Sequence, residues 1–416
     1  MRPDRLFKSL LLAGASLLAA CQTPVPEQGT WSGTVSIGPE QTIPLRMELD
    51  FRSTPPRGEF LVGEERTVIP ELRLDGDSLI LSISEYKAAI RARWDGSRFV
   101  GRYERYRSDT TGLEFTAWPE GQKAGAGRAA VSTTPGGVRL SGNFRVFAAG
   151  KSGIDSTSTA TFRIKGDSVF GTIIAPDGDY GLMAGRQQGS TVVLNRFTGW
   201  QISQLELHGR GAEWNALYRV RNLAAQDLTL RPLAAGEPAV PAAGATTMKD
   251  PLLPFAFSGV TPGGDTLRHT DERFRGKVLV LDIMGTWCHN CLDAAPVLQQ
   301  LVEQFGPEGL EVVGLAFEIS DDADLARKNL SLYSNRHGIT FPLLFCGSLD
   351  AANVQLRIKS QLENFGAYPT SIFVGRDGRV RSIHMGFNGP GTGDAYQAQI
   401  SRYWREVQEL LIENVR

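Results

Sequence analysis

Two cysteines separated by two residues, Cys288 and Cys291, follow a short apolar run and precede a helical pattern. Residues 277–284 form a short, mostly apolar segment that ends at the motif, which is typical of a buried β-strand. After the motif, apolar residues recur at helical spacing, at Ala294, Leu298, Leu301, Val302 and Phe305. The sequence therefore predicts a strand, a tight turn and a helix, with Cys288 at the helix start.

This placement predicts redox chemistry, because the free N–H groups and the dipole of a helix N-terminus stabilise a thiolate at Cys288. Cys291, one turn later, should be more shielded and should act as the resolving thiol. His289 could lower the pKa of Cys288 further when protonated, or it could be a solvated residue between the cysteines. Zinc sites share this spacing, but they usually need a second pair or two histidines, and the chain has no second pair.

The motif Trp287-Cys288-His289-Asn290-Cys291, with Pro296 five residues beyond it, resembles the active-site helix of the thioredoxin superfamily. The preceding Gly-Thr-Trp and the later segments 368–374 and 377–380 resemble the TlpA/ResA branch, which consists of exported, membrane-tethered thiol-disulfide oxidoreductases. The resemblance covers about 165 residues (416 − 250 = 166) and does not extend to the first half of the chain.

The resemblance implies an α/β thioredoxin fold, no cofactor or metal, and a cis peptide between Tyr368 and Pro369 opposite the dithiol. Tyr368, Pro369, Trp287 and His289 would then contact the substrate. It also implies a disulfide reductase for exported proteins that receives electrons from a membrane thiol transporter, although an oxidising potential would reverse the direction.

Glu318 ends a second apolar strand, residues 311–317, and is the predicted proton shuttle for Cys291. A surface glutamate is the competing interpretation. Cys346 also ends a strand, and the expectation is an inert buried thiol rather than a third redox partner.

The 416 residues predict a multidomain chain. Residues 29–232 contain alternating strand-type segments separated by glycine turn pairs, which predicts an all-β antiparallel sandwich or barrel of one or two units, 29–125 and 138–232. Residues 233–250 are rich in Ala, Pro and Gly and suggest a semi-extended linker. Residues 251–416 form the predicted redox domain.

A weak internal repeat supports the duplication. Residues 29–31 align with 142–144, and residues 76–81 align with 189–194. Both offsets are 113 (142 − 29 and 189 − 76), so two similar antiparallel units are possible.

The amino terminus has the layout of an export signal, with three basic residues before an apolar run. Residues 1–20 are the predicted signal peptide, and the sequence Leu-Ala-Ala-Cys ending at Cys21 resembles a bacterial lipobox. Residues 21–28 would form a tether. The expectation is a lipid-anchored protein that faces the periplasm from the inner or the outer membrane.

The charge balance argues against nucleic acid as a partner, because the net charge is −1 and no long basic run is present. Four cysteines are too few for a framework of structural disulfides.

Three other functions remain open. A peroxiredoxin-like thiol peroxidase has a similar fold but needs Thr three residues before the attacking Cys, where this chain has Gly285. A copper or zinc carrier could use the same thiols. A ligand-binding lipoprotein could retain the thioredoxin domain as a structural part. The oxidoreductase hypothesis depends on an exposed, anionic Cys288 that faces the Tyr368–Pro369 bond, and it would collapse if the structure buried that sulfur or placed the proline on the far side of the molecule.

Overall fold

The computed structural model of the protein describes residues 25–105, 109–121, 139–148, 154, 156–210, 212–242 and 244–413. The predicted signal peptide and the predicted lipid-anchor residue Cys21 lie outside these residues. The described chain forms two antiparallel β units followed by an α/β unit, so the predicted fold class is confirmed.

The first β unit is a nine-stranded antiparallel sheet in which inward residues alternate with outward ones, as expected for strands that bury one face. Its strands are β1 Gln28–Gly38, β2 Gln41–Asp50, β3 Arg57–Val62, β4 Glu65–Val68, β5 Glu71–Asp75, β6 Ser78–Ile83, β7 Ala88–Trp94, β8 Phe99–Arg105 and β9 Asp109–Pro119. The spatial order is β4-β3-β2-β1-β9-β8-β7-β6-β5. The first long strand thus pairs with the last.

The second β unit has nine strands as well. They are β10 Gly142–Ala148, β11 Thr159–Lys165, β12 Ser168–Ala175, β13 Gly178–Asp179, β14 Met183–Gln188, β15 Thr191–Phe197, β16 Ile202–Arg210, β17 Glu213–Val220 and β18 Gln226–Pro232. The order is β11-β10-β18-β17-β16-β15-β14-β12-β13, and a further β11–β12 pairing closes the sheet into a barrel.

The two β units share one pairing scheme, because β1 pairs with β2 and β9 just as β10 pairs with β11 and β18. The repeated residues of the sequence fall at equivalent places: Trp31 and Phe144 lie on these first strands, and Leu79 and Val192 lie on β6 and β15. The repeated residues thus occupy equivalent strands of the two units, and the duplication itself stays a prediction.

The β units are packed together rather than joined only through the chain. Phe197, Trp200 and Ile202 of the second unit belong to the same buried apolar cluster as the core of the first unit. Trp287 and Leu292 of the α/β unit pack against that cluster. All three units therefore meet around the dithiol motif.

The α/β unit has a seven-stranded sheet of order β21-β20-β24-β23-β22-β26-β27. Its central β22, β23 and β24 are parallel, as expected for buried apolar strands connected through helices. Its strands are β20 Ser258–Val260, β21 Thr266–Arg268, β22 Val278–Met284, β23 Leu310–Glu318, β24 Leu343–Ser348, β26 Thr370–Val374 and β27 Val380–Met385. A separate two-stranded sheet pairs β19 Thr247–Met248 with β25 Leu362–Glu363. The helices are α1 His289–Phe305, α2 Ala323–His337, α3 Ala351–Val354 and α4 Asp394–Ile412.

The described residues of the predicted linker, 233–242 and 244–250, contact neighbouring parts of the molecule. Thr159 Oγ1 donates to Ala239 O at 2.6 Å, Thr246 is buried, and β19 pairs with β25. Composition indicates only that such a segment cannot form a core by itself, whereas here the neighbouring units supply the contact surface.

No helix in the described part of the chain has both the length and the apolar character needed to cross a bilayer.

Candidate active site

The dithiol motif lies where β22 ends and α1 begins, as the sequence predicts. All seven residues of β22 are buried, and Cys288 is the N-cap of α1. Its Sγ accepts a hydrogen bond from Cys291 N at 3.3 Å. The helix N-terminus thus points a backbone N–H donor at this sulfur.

The Tyr368–Pro369 bond is cis and faces the first sulfur, as predicted. Cys288 Sγ lies 3.3 Å from Tyr368 O. The ring of Tyr368 packs edge-on against Trp287, with centroids 5.4 Å apart. Trp287, Tyr368 and Pro369 form one surface around the sulfur of Cys288.

The predicted exposure of Cys288 is wrong, because this residue is only 6% exposed. Tyr86 of the first β unit and Trp200 of the second line the same cavity as Cys288. Burial by remote units cannot be read from the local sequence. Because the sulfur still borders an open space, its burial does not separate it from small reactants.

The space above Cys288 is a cavity of about 390 Å³ at the meeting point of the three units. We call it the junction cavity. Its aromatic lining comes from all three units and includes Tyr86, Trp200, Tyr218, Trp287 and Tyr368. A site for a reactant exists here only when the β units and the α/β unit are together.

Cys291 is fully buried, as expected of a resolving thiol. Burial raises its pKa well above the ordinary value, and the nearby Cys288 and the carboxyl of Asp282 raise it further. The hydroxyl of Tyr333 donates to Cys291 O at 2.7 Å and fixes the backbone there. Cys291 therefore needs a neighbouring base before it can act as a nucleophile.

Asp282 is a functional candidate that the sequence interpretation missed. It is buried within β22, and burial raises its pKa to about 7, while a hydrogen bond from Ser371 Oγ at 3.0 Å opposes the shift. The signal was present, because Asp282 is the one charged residue within the apolar segment Val278–Met284. A buried carboxyl in such a strand costs free energy, and pKa values shifted in this way are concentrated at functional sites.

Glu318 ends β23 and is 3% exposed, so it is not a surface glutamate. Burial raises its pKa, and hydrogen bonds from Thr286 partly oppose that shift. Thr286 N and Oγ1 donate to its two oxygens at 3.0 and 2.8 Å. Its bonded partners therefore include the loop before Cys288.

His289 does not supply a positive charge to Cys288, in contrast to the first expectation. Burial lowers its pKa to about 4, and the nearby Arg196 lowers it further. Its Nε2 donates to Asp179 O of the second β unit at 2.7 Å. The imidazole is neutral at pH 7 and connects the start of α1 to the β units.

Charged residues connect the same three units beside the cavity. Arg196 is buried and makes two hydrogen bonds to Glu65, at 2.7 and 2.8 Å. Asp179 Oδ2 accepts from Gly389 N at 2.5 Å. Burial raises the pKa of Asp293 on α1 well above the usual range, and Glu65 and Asp179 raise it further. The β units thus contact the helix that carries both cysteines.

The α/β unit, with its central parallel strands and a dithiol at the N-terminus of the helix that follows β22, has a thioredoxin fold. Residues 255–383 match the AhpC/TSA family. This region of the chain is similar to the TlpA/ResA-like proteins of the thioredoxin superfamily. The fold expected from the sequence resemblance is therefore confirmed.

Two curated relatives and one solved structure illustrate the similarity. Thiol-disulfide oxidoreductase ResA of Bacillus thuringiensis (strain Al Hakam) is 28% identical over 106 residues, 26% of this chain and 53% of that protein. The chain thus spans about half the length of this relative. Thioredoxin-like protein YneN of Bacillus subtilis (strain 168) is 25% identical over 130 residues, 31% of this chain and 68% of that protein. A crystal structure of a thioredoxin-family thiol:disulfide interchange protein from Chlorobium tepidum TLS shows 22% identity, covers 39% of this chain and 97% of its own, and has a TM-score of 0.30.

Proposed function

We propose that the protein is a thiol-disulfide oxidoreductase of the cell envelope that reduces disulfides of exported proteins through Cys288 and Cys291. The position of Cys288 carries the proposal: its sulfur caps α1, lies 3.3 Å from Tyr368 O beside cis-Pro369, and has Cys291 one turn behind it. The names of the curated relatives, ResA above all, support the same activity.

The proposed reaction has two exchange steps. The Cys288 thiolate attacks one sulfur of the substrate disulfide, so that a mixed disulfide forms and the other substrate sulfur leaves as a thiolate that takes up a proton. Cys291 then loses its proton and attacks the Cys288 sulfur. The Cys288–Cys291 bond forms, the substrate leaves as its second thiol, and two electrons have passed to the substrate.

Asp282 is the proposed base for the second step. The structure supports this role over the earlier candidate Glu318, because the charge of Asp282 acts on Cys291 and its pKa is about 7. A base with such a pKa is half ionised at neutral pH and can take up the thiol proton directly or through one water.

Asp282→Asn is expected to slow resolution of the mixed disulfide by about 10- to 100-fold at and above pH 7, because the amide cannot accept the proton. The decay of a preformed mixed disulfide should be followed by stopped flow across pH. In the parent it should accelerate through an apparent pKa near 7, and the variant should lack this step. The matched control is Glu318→Gln, which should stay within about threefold of the parent. The opposite pattern would return the role to Glu318.

The same variant should change the dependence of stability on pH. The folded pKa of Asp282 is about 7, against 3.8 for the ordinary group. Between these values the folded protein keeps a proton that the unfolded chain releases, so the free energy of unfolding falls as pH rises. Urea titrations of Asp282→Asn should lack this part of the slope.

The reducing direction is supported by the neutral state of His289, since a cation beside Cys288 would stabilise the thiolate and make the couple more oxidising. We expect a reduction potential for Cys288/Cys291 nearer about −270 mV than about −120 mV, measured in dithiothreitol redox buffers. A value near the second figure would make the protein a disulfide donor.

Reduction of a model disulfide carried by an unstructured peptide tests the activity of the full chain itself, with peroxide consumption measured in parallel. Reduction of that disulfide supports the proposal. Faster turnover of hydrogen peroxide would favour the thiol peroxidase, and failure in both assays would favour a ligand-binding lipoprotein with a structural thioredoxin domain.

The location and the electron source belong to the same proposal. Residues 1–20 would be removed as a signal peptide and Cys21 would carry the lipid anchor, so a membrane thiol transporter could re-reduce the dithiol. Blocking lipoprotein processing should leave the precursor uncleaved, and a mature protein without lipid would refute the anchor.

A further inference from the structure

The wall over Cys288 comes from the β units and is aromatic. Tyr86 of the first unit and Trp200 of the second are stacked, with ring centroids 4.1 Å apart and planes 8° apart. Both line the junction cavity together with Cys288, and the Trp287–Tyr368 pair of the α/β unit lines it as well. A segment that reaches the sulfur must therefore pass between aromatic side chains from all three units.

The β wall fits closely against the α/β unit. Gly178, in β13, has a positive φ of 135°, and a Cβ atom there would overlap the side-chain amide of Asn290. Gly386, after β27, has a φ of 79°, and a Cβ atom there would lie 2.6 Å from Asp177 O. At both positions the backbone of the glycine touches the opposite unit, so there is no room for a methyl group. The wall is held at a fixed distance from the start of α1.

The size of the junction cavity limits what can enter. Its volume of about 390 Å³ lies in the lower part of the range, about 300–1,000 Å³, of sites that enclose drug-sized ligands. A few residues of extended chain match that volume. The convex surface of a folded domain does not fit the cavity. Its disulfide would stop at the rim of the cavity, whereas Cys288 lies at the bottom and is only 6% exposed.

We propose that the two β units are the substrate-selecting wall of this active site, and that its substrates are disulfides carried by extended, unfolded segments rather than by folded proteins. This inference rests on the proposed function and assigns a role to the first half of the chain. Apolar or aromatic residues beside the substrate cysteine would pack between the two aromatic pairs. The exchange steps are those given above, with the dithiol as the reductant.

Three mixed disulfides of 5-thio-2-nitrobenzoate test the proposal, because each releases the same chromophore. The partner thiol is 2-mercaptoethanol, a short unstructured peptide with one cysteine, or a folded domain with one surface cysteine. The full chain, reduced and freed of reductant, reacts in single turnover. We expect the folded domain to react slower than the peptide by on the order of 100-fold, because its sulfur is kept away from Cys288.

Two variants, one on each side of the contact between the β units and the α/β unit, should move the wall away from Cys288. We call them the wedge variants. Gly178→Ala places a methyl group against the Asn290 side chain at the start of α1, and Gly386→Ala forces the loop after β27 away from the backbone of Asp177. Each should raise the rate for the folded domain, relative to that for the mercaptoethanol disulfide, by about tenfold or more. The matched controls are Gly189→Ala and Gly378→Ala, which also place a methyl group at a positive φ but meet nothing within 4 Å. They should keep the selectivity of the parent.

The outcomes separate the two proposals. If the mercaptoethanol disulfide itself releases no chromophore, the proposed function fails. If all three substrates react at similar rates, the function stands and the selecting wall is refuted. If only the mercaptoethanol disulfide reacts, the site takes low-molecular-weight disulfides and the extended-segment assignment is overturned. Wedge variants that fold but leave selectivity unchanged would also overturn it.

Discussion

Replacing Cys288 with serine should abolish disulfide exchange by the full chain, with a rate loss on the order of 10³-fold or more. The thiolate is the nucleophile, and a hydroxyl at the same N-cap position cannot attack a disulfide. Serine is nearly isosteric and can still accept the hydrogen bond from Cys291 N, so the helix start should persist. Chromophore release from the mercaptoethanol mixed disulfide measures the loss.

Two further cysteine variants test whether the loss of activity is specific to the role of Cys288. Cys291→Ser should allow the first attack but not the second, so about one substrate molecule should remain bound per chain in a mass spectrum. Cys346→Ala is the control, because burial raises the pKa of this thiol to about 12 and it packs in a different apolar cluster from Cys288. Its activity should stay within about twofold of the parent. A loss as large as that of Cys288→Ser would make Cys346 a participant.

The local parts of the site could be predicted because local sequence determines them. The apolar segment of β22 and the helical period after the motif locate Cys288 at the N-cap, where the structure has it. The cis bond before Pro369 followed from a resemblance, and the structure has it as well. The glycine turns and alternating strands of the first half likewise indicated an all-β antiparallel region, although they left open whether it forms one unit or two.

The surroundings of the site could not be predicted in this way, because they depend on contacts distant in sequence. Cys288 is covered by Tyr86 and Trp200, which are separated from it by about 200 and about 90 residues. No local pattern of hydrophobicity indicates that the first half of the chain packs over the motif. The sulfur would be expected to be exposed only if the α/β unit stood alone.

The charges at the site depend on the same packing. His289 is neutral because the second β unit removes water from it and places Arg196 nearby, and both lower its pKa, whereas the hydrogen bond to Asp179 O opposes that shift. Asp282 has a pKa of about 7 because it is enclosed between strands. In both cases desolvation is the main cause, and desolvation is set by the whole fold rather than by the neighbours in sequence.

Arg336→Met is expected to lower the free energy of unfolding by about 3–5 kcal/mol. Arg336, in the last turn of α2, donates to Glu85 of the first β unit at 2.6 Å, and their side chains are 8% and 1% exposed. Removing the guanidinium leaves a carboxylate buried without its partner. Glu318 lies near enough for the Glu85 charge to raise its pKa, so the loss affects two acids next to the dithiol loop. Urea unfolding of the full chain measures the difference.

A second-site variant and a matched control test whether the loss comes from the buried pair. Glu85→Gln in the same chain should recover much of the loss, because no charge is then buried.

Lys328→Met is the matched control. It removes another ion pair between α2 and the first β unit, that of Lys328 with Glu71, but these two side chains are 54% and 38% exposed. It should cost no more than about 1 kcal/mol. Equal losses in the two variants would mean that the buried pair does not hold the first β unit on α2, and that another contact positions the wall over Cys288.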